Sequence, residues 1–342
     1  MMLLVTGGTG FAMSVLGRTW LESDPKARLT VIDSAPLDAA AKRYFEPVAD
    51  RLKLIVADIL QPNIWRTALQ GANVTHVVHG ATVTPVGSRT SGEAPLDPEA
   101  ESPGRVIDVN TMGTVAMLDW VRTKRSIQRF IYVSSGAVYL NHGPNRPGEP
   151  LPEDGYVMPR RLYGISKLAS ELIVERYGEM FGISTASVRP SSVYGPMDRV
   201  TATRNVIHVP NRIAHMAIGG ARVVRVNSID TVGDYIHSED LARGIIALLK
   251  ASRVRFSAYN IAAGVTATIG QLVQWAAEKA PGFHAEVTMA QDADIIRDPN
   301  LRDGMWGAYD ISRISVETGW KPRATREGLH AYMDWIRAER HT

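Results

Sequence analysis

Short runs of β-branched and other apolar residues alternate with longer segments of helical period from the N-terminus to about Val188. This alternation is typical of βαβ units built around a parallel sheet. Most of the runs are continuously apolar, as expected for strands that helices cover on both faces. The predicted strands are Met2–Thr6, Leu29–Asp33, Leu52–Ala57, Val74–His79, Phe130–Ser134 and Ser184–Val188. The predicted helices are Gly10–Glu22, Asp38–Asp50, Asn63–Leu69, Val106–Thr123 and Leu162–Phe181.

Six strands in series with helical crossovers predict an α/β fold with a Rossmann-like, doubly wound parallel sheet. After Arg189 the regular alternation of strands and helices ends. The mixed elements that follow predict a smaller, mostly helical substrate lobe. The predicted division is a dinucleotide-binding domain over residues 1–188 and a substrate-binding lobe over 189–342, with one return of the chain to the main sheet allowed. The predicted elements of this part are helices at Val206–Ile218 and Ser238–Ala251, strands at Arg222–Val226 and Phe256–Ile261, and a helix from the capping box of Thr268 and Gln271 to Ala280.

Composition narrows the class of protein. The chain has 342 residues, 45% of them hydrophobic, and no cysteine, which excludes a disulfide scaffold and a cysteine zinc site. The net charge is only +3, and the basic residues are scattered, so we expect no nucleic-acid partner. The N-terminus lacks the basic region of a signal peptide, and no apolar run reaches the length of about 18 residues that a spanning helix needs. We therefore expect a cytoplasmic protein without a membrane partner.

Two proline- and glycine-rich stretches, 84–104 and 141–159, follow the fourth and fifth predicted strands. Loops that leave the carboxyl ends of parallel strands lie at the edge where doubly wound folds bind ligands. Loops of this length without structure of their own are often lids or binding loops. The alternative is a pair of disordered surface insertions.

The first predicted strand runs directly into Thr6-Gly7-Gly8-Thr9-Gly10, and a helix follows with Phe11 and Ala12. Glycines at this junction allow close approach to a pyrophosphate, and the helix N-terminus favours the negative charge. Asp33 ends the second strand, where a carboxylate accepts hydrogen bonds from an adenosine ribose. A 2′-phosphate there would meet a like charge, so the pattern favours NAD over NADP.

A second set of residues carries acid–base chemistry. Tyr163 and Lys167 are four residues apart in a predicted helix and therefore share one face. A nearby cation favours the phenolate form of tyrosine, which then exchanges a proton with an alcohol. Ser135, at the end of the fifth strand, completes a Ser–Tyr–Lys set.

With these motifs the chain resembles the extended short-chain dehydrogenases/reductases, the NAD-dependent epimerase/dehydratase family. The resemblance extends along almost the whole chain. It rests on the glycine turn, Asp58-Ile59, Val78-His79-Gly80-Ala81, Asn110-Thr111-Met112-Gly113-Thr114, Ser134–Tyr139, Tyr163–Lys167, Arg189–Pro196, Asp234–Leu241 and Gly319-Trp320-Lys321-Pro322.

The resemblance implies roles for individual residues. Asp58 and Ile59 would lie at the adenine and Ala81 along the cofactor, while Pro190 and Val193 would contact the nicotinamide end. Ser135 would hold the substrate hydroxyl. Thr82 is a further candidate for contact with the substrate. Tyr163 would be the acid/base, and Lys167 would bridge it and the nicotinamide ribose. No metal site is predicted.

Three positions depart from the family pattern. Met13 stands where the family usually has the third glycine of its turn, which puts the detailed geometry of the pyrophosphate site in question. Gly136 and Ala137 stand where members that dehydrate a sugar carry an acidic pair, which argues against dehydration. Gly233 replaces an arginine that grips the phosphate of a nucleotide sugar, which argues against a conventional nucleotide-sugar substrate.

The prediction is an NAD-dependent sugar epimerase or dehydrogenase that oxidises a secondary alcohol of a carbohydrate-like substrate. Arg160 and Arg161, just before Tyr163, oppose the dipole of their helix, so they require either solvation or an anionic partner. Solvation is one interpretation, and a substrate that carries a carboxylate or phosphate is the other. Alternatives are an epimerase of conventional nucleotide sugars and a non-catalytic dinucleotide sensor. A homodimer built on the helices Val106–Thr123 and Leu162–Phe181 is expected from the resemblance.

Overall fold

The computed structural model describes residues 1–84, 98–139, 149–201, 207–297 and 307–340. The strands are β1 (Met2–Thr6), β2 (Arg28–Asp33), β3 (Leu52–Val56), β4 (His76–His79), β5 (Arg129–Val133), β6 (Thr185–Pro190), β7 (Ser192–Tyr194), β8 (Val223–Val226), β9 (Val232–His237), β10 (Ala258–Ile261), β11 (Thr266–Thr268) and β12 (His284–Val287). The helices are α1 (Phe11–Glu22), α2 (Ala39–Phe45), α3 (Pro62–Ala68), α4 (Pro98–Glu101), α5 (Pro103–Ile107), α6 (Gly113–Val121), α7 (Leu162–Phe181), α8 (Val209–Ile218), α9 (Ser238–Lys250), α10 (Ile269–Lys279), α11 (Ser312–Thr318) and α12 (Thr325–Arg340).

A seven-stranded sheet with the order β10-β6-β5-β4-β1-β2-β3 forms the centre of the molecule, and every pairing in it is parallel. The order reverses between β1 and β4. In a doubly wound sheet, the carboxyl ends on either side of that reversal form a crevice that binds ligands. The α/β class and the parallel sheet predicted from the pattern of apolar runs are confirmed.

The seventh strand comes from the second half of the chain. In β10, Ala258 pairs with Ser187 and Ile261 with Pro190, so the strand extends the sheet beyond β6. Helix α9, which precedes it, packs on α1, with Leu241 and Ile245 in the same apolar core as Leu16. The one return of the chain to the main sheet is therefore present, while the domain division at residue 188 stays a prediction.

A second apolar core lies between α8, α10 and α12, with Ile213, Leu272 and Met333 fully buried. Strands β8 and β12 pair in parallel beside it. Strands β7, β9 and β11 form a small sheet of their own, which the apolar pattern did not predict. This sheet matters for function because β7 directly continues from β6 at the crevice.

The predicted helix Val106–Thr123 is broken into α5, a π-helical turn at Asp108–Met112, and α6. Single π turns inside helices frequently lie at functional sites. Here the turn carries Asn110, which is buried and bonds across to the chain that follows β4. Among the described residues, no helix is long and apolar enough to cross a membrane.

Candidate active site

A cavity of about 680 Å³ opens along the carboxyl ends of β1, β2, β4, β5 and β6. This size is within the range of small-molecule and cofactor sites. The residues predicted for cofactor, substrate and catalysis that line it are Gly7, Gly10, Phe11, Ala12, Asp33, Asp58, Ile59, Ala81, Thr82, Ser135, Tyr163, Lys167, Pro190 and Val193. They come from seven separate places along the sequence, and the parallel sheet brings their strand ends to one edge.

The glycine turn has the geometry that a pyrophosphate needs. Gly7 has a positive φ of 73°, and a Cβ atom on it would lie 3.0 Å from the backbone of Ala81. The turn closes with a hydrogen bond from the Gly10 N–H to the Gly7 carbonyl, 3.2 Å. Helix α1 begins directly after Gly10, and no side chain caps its N-terminus. The positive end of the helix therefore faces the cavity, where an anionic group fits.

Met13 does not obstruct the turn. Its side chain is buried against Gly80 at the end of β4, and a Cβ atom on Gly80 would lie 2.6 Å from the Met13 sulfur. Gly80, just after β4, thus leaves the space in which the Met13 side chain packs. The turn therefore keeps the positive φ at Gly7 with Met13 in place of the third glycine.

Asp33 is held by two backbone donors at the end of β2. Its carboxylate accepts the Thr9 N–H at 3.0 Å and the Ala35 N–H at 3.1 Å. The first of these bonds ties the carboxylate to the glycine turn. A carboxylate fixed there, next to the helix N-terminus, is suited to accept hydrogen bonds from ribose hydroxyls.

Asp58 and Ile59 line the adjoining wall of the cavity after β3. Asp58 pairs with Arg105 at 2.7 Å and accepts the Leu60 N–H at 2.9 Å. Burial raises the pKa of this carboxyl, but these hydrogen bonds and the charge of Arg105 lower it more, so the net pKa lies below its usual value. Ile59 is buried and packs where Gly113 of α6 leaves room for it.

Asn110 connects the β4 side of the cavity to the helix that carries the acid–base pair. Its amide accepts hydrogen bonds from Thr82 Oγ1 and the Val83 N–H, at 2.9 and 2.7 Å, and donates to Ser166 Oγ at 3.0 Å. Ser166 lies between Tyr163 and Lys167 on α7. The π turn therefore fixes the position of both catalytic candidates relative to Thr82.

Ser135, Tyr163 and Lys167 meet at the inner end of the cavity. The Ser135 hydroxyl lies close enough to Tyr163 to lower its pKa, and it accepts the Ala137 N–H at 3.1 Å. Lys167 Nζ lies 5.7 Å from the centre of the Tyr163 ring and donates to the Val133 carbonyl at 2.8 Å. The ammonium is thus anchored on β5 beside the tyrosine.

Burial changes the protonation of this pair. It raises the pKa of Tyr163 above its usual value, and the neighbouring Ser135 hydroxyl offsets only part of that shift. Burial also lowers the pKa of Lys167 to about 7, against the attraction of Glu171. The expected net lowering of the tyrosine pKa by a nearby cation is therefore absent from this structure, because desolvation dominates both groups.

At two positions that depart from the family pattern, Gly136 and Gly233, a tyrosine side chain occupies the space beside the glycine. A Cβ atom on Gly136 would overlap the hydroxyl of Tyr309, and one on Gly233 would overlap the ring of Tyr235. Neither glycine can acquire a side chain without displacing that ring. Only the first of these rings lines the cavity.

Arg160 and Arg161 are exposed and do not line the cavity. Arg161 Nε lies 3.5 Å from Glu99, whose carboxylate also accepts the Leu162 N–H at 2.9 Å. Glu99 thus supplies the anion that offsets the dipole of α7 at Arg161. The role of the two arginines in substrate binding stays a prediction.

The lining residues that were not singled out from the sequence include Arg105, His208 and Tyr309. No local pattern marks them. His208 precedes α8 and Tyr309 precedes α11, so both reach the cavity from the second half of the chain. Among the described residues no cluster of histidine and acidic side chains could hold a metal ion.

Comparison with known proteins supplies the family. The model of the NAD-dependent epimerase/dehydratase family matches residues 3–262. The chain is 27% identical to the dTDP-glucose 4,6-dehydratase of an Actinoplanes species, over 99% of both proteins. It is 28% identical to the GDP-6-deoxy-D-mannose reductase of Pseudomonas aeruginosa, over 70% of this chain and 76% of the relative.

Solved structures show the same fold. The UDP-glucose 4-epimerase of Thermotoga maritima, solved with UDP-glucose, superposes with a TM-score of 0.78 at 20% identity, covering 99% of both chains. The UDP-glucuronic acid 4-epimerase of Bacillus cereus, solved with UDP-glucuronic acid and NAD, gives 0.77 at 21% identity, covering 99% of this chain and 100% of the other. The chain therefore belongs to the NAD-dependent epimerase/dehydratase family of extended short-chain dehydrogenases/reductases, and it is an NAD-dependent enzyme of carbohydrates.

Proposed function

We propose that Ser135, Tyr163 and Lys167 catalyse the oxidation of a secondary alcohol on a carbohydrate. The observation that carries the proposal is their position in one cavity with the glycine turn and Asp33. The cavity therefore joins a dinucleotide cradle to a proton-transfer group. A sensor without catalytic activity would have no use for that juxtaposition.

Each of the three residues has a distinct task in this proposal. Ser135, beside the Tyr163 hydroxyl, orients the substrate alcohol, and Tyr163 in its phenolate form, having released its own proton to solvent, accepts the alcohol proton. The Lys167 ammonium, fixed by the Val133 carbonyl, stabilises the phenolate that accepts this proton. When bound, NAD supplies the hydride acceptor.

The two residues that follow Ser135 favour oxidation without dehydration. Elimination of water requires an acid and a base placed beside the oxidised carbon. Gly136 and Ala137 offer neither, and the Tyr309 ring occupies the space where a side chain of residue 136 would extend. The products we propose are an epimer, if the hydride returns to the sugar, or an oxidised sugar, if it leaves on the cofactor.

The decisive experiment is a screen of free sugars, sugar acids and nucleotide sugars with NAD. Nicotinamide reduction followed at its absorbance band identifies a dehydrogenase, and isomerisation followed by NMR identifies an epimerase. The screen also tests whether the substrate is anionic, the prediction drawn from the sequence position of Arg160 and Arg161. Failure of all three classes in both readouts would overturn the proposal.

The proposal for Asp33 concerns the choice of cofactor. A 2′-phosphate would lie against this carboxylate, so NAD should bind at least about tenfold more tightly than NADP, equivalent to about 1.4 kcal/mol. Asp33→Asn should reduce the ratio of the NAD affinity to the NADP affinity, with both affinities measured by titration. Asp38→Asn is the matched control, because Asp38 caps α2 and pairs with Arg199 outside the cavity. Equal affinities in the parent protein would refute the assignment.

We further propose a cytoplasmic homodimer built on α6 and α7. Ile165 and Leu172 are two turns apart on α7 and are 41% and 60% exposed, with Met112 also exposed nearby in the chain before α6. Contiguous exposed apolar side chains often mark an interface. Leu172→Glu should therefore yield monomers in sedimentation velocity, whereas Glu175→Gln on the same helix should leave the dimer intact. A monomeric parent protein would contradict the proposal.

A further inference from the structure

Tyr309 lies in the active-site cavity although it comes from a distant part of the chain. It precedes α11, and its ring reaches Gly136, the residue after Ser135. A Cβ atom on Gly136 would overlap the Tyr309 hydroxyl oxygen and lie 2.8 Å from Cζ. The phenol therefore ends beside the catalytic serine, in the space that the glycine leaves open.

The backbone around Tyr309 is held on both sides. The Leu151 N–H donates to the Ala308 carbonyl at 2.7 Å, and the Asp310 N–H donates to the Leu151 carbonyl at 2.9 Å. The Tyr309 N–H itself donates to Asp234 at 3.2 Å. These bonds fix the position of the ring before any substrate binds. Less conformational entropy is therefore lost when a substrate binds.

The two ends of the side chain have different surroundings. The ring packs edge-on against Tyr139, with centroids 5.6 Å apart, in a small apolar cluster with Leu151 and Ala262. The Tyr139 hydroxyl is saturated, since it donates to Asn260 and accepts from Arg189. The Tyr309 hydroxyl, in contrast, has no hydrogen-bond partner within the described part of the chain. Burial raises its pKa, so it stays a neutral donor.

A role in packing alone does not account for this hydroxyl. A phenylalanine would fill the same apolar cluster without it, so packing gives no reason for an oxygen that faces the cavity. The hydroxyl also borders a cavity that contains Ser135 and Tyr163. A group placed there can contact whatever substituent lies next to the alcohol that Ser135 and Tyr163 bind.

We propose that the Tyr309 hydroxyl donates a hydrogen bond to an oxygen on the carbon next to the oxidised one, and thereby selects the carbohydrate. The inference rests on the proposed function, because it assumes that a carbohydrate occupies this end of the cavity. It assigns to Tyr309 a contact with the substrate and none with NAD. The ring also limits the bulk of a substituent that can lie beside Gly136.

The test compares Tyr309→Phe with the parent protein on a panel of glucose, galactose, glucuronate, UDP-glucose and UDP-glucuronic acid with NAD. For the substrate that is turned over, kcat/KM should fall about tenfold, because one hydrogen bond is lost. The NAD affinity and the melting temperature should stay unchanged. Tyr194→Phe is the matched control: it removes a buried phenol hydroxyl outside the cavity and should leave kcat/KM unchanged.

Monodeoxy analogues of that substrate identify the contacted oxygen. The analogue without it should be poor for the parent protein and no poorer for Tyr309→Phe, because each change removes the same bond. Gly136→Ala is the second variant, since its methyl group takes the space of the hydroxyl. In the double variant of Gly136→Ala and Tyr309→Phe, the free-energy change calculated from kcat/KM should be smaller than the sum of the changes in the two single variants.

The outcomes separate this inference from the proposed function. A parent protein that turns over a panel member, with Tyr309→Phe equally efficient on it, overturns the role of Tyr309 and leaves the function standing. A parent protein that neither reduces NAD nor isomerises any panel member overturns both.

Discussion

Tyr163→Phe is expected to lower kcat by about 10²–10⁴-fold, the usual contribution of a positioned acid–base group. The substitution removes one oxygen and little volume, so the affinity for NAD should stay nearly unchanged. The loss should appear in kcat more than in KM, because the proton is transferred only in the transition state. Steady-state kinetics with the substrate from the screen, together with a titration of NAD, measure both quantities.

Tyr177→Phe is the matched control on the same helix. Its hydroxyl lies 3.3 Å from Asp119, away from the cavity, so its removal should leave turnover unchanged. Lys167→Met should differ from both, because it should lower turnover and NAD affinity together. Parental turnover in Tyr163→Phe would show that the proton leaves by another route.

Arg189→Met is expected to lower the free energy of unfolding by about 3–5 kcal/mol, because it leaves a buried carboxylate without its partner. Arg189 and Glu171 are 6% and 7% exposed and pair at 2.6 Å. The same guanidinium donates to the Tyr139 hydroxyl and the Glu153 carbonyl, at 2.9 and 2.8 Å. Removing it therefore deprives the Glu171 carboxylate, the Tyr139 hydroxyl oxygen and the Glu153 carbonyl of this donor. Urea unfolding followed by circular dichroism measures the loss.

Arg176→Met provides the control for charge removal on α7. Its pair with Glu179 is 66% and 59% exposed, and such pairs contribute at most about 1 kcal/mol. The double substitution Arg189→Met with Glu171→Leu should recover much of the lost stability, because it removes both buried charges. Equal unfolding midpoints for Arg189→Met and Arg176→Met would contradict the expected importance of the buried pair.

The strands of the central sheet were predictable from the sequence because each is a short, continuously apolar run between helical segments. The position of β10 needed more than its own pattern. Pairing with β6 depends on the path of the chain after α9, and a strand of four residues carries no signal of its neighbour. The small sheet of β7, β9 and β11 was missed for the same reason.

Protonation in the site illustrates a second limit. Helical spacing correctly brings Tyr163 and Lys167 to one cavity, since positions four apart share a face. Their pKa values depend on burial, which no spacing reveals, and burial shifts both groups toward their neutral forms. Likewise, the pairing of Arg161 with Glu99 depends on where α4 lies relative to α7.

The sequence by itself determined the sheet class, the glycine turn, Asp33 at a strand end and the Ser–Tyr–Lys set, because all of these follow from local order along the chain. Tertiary structure alone decided what fills the spaces left by glycines: Met13 against Gly80 and Tyr309 against Gly136. The physical reason is that residues which pack closely together are often far apart in the sequence. The local sequence around one of them carries no pattern from which the other can be predicted.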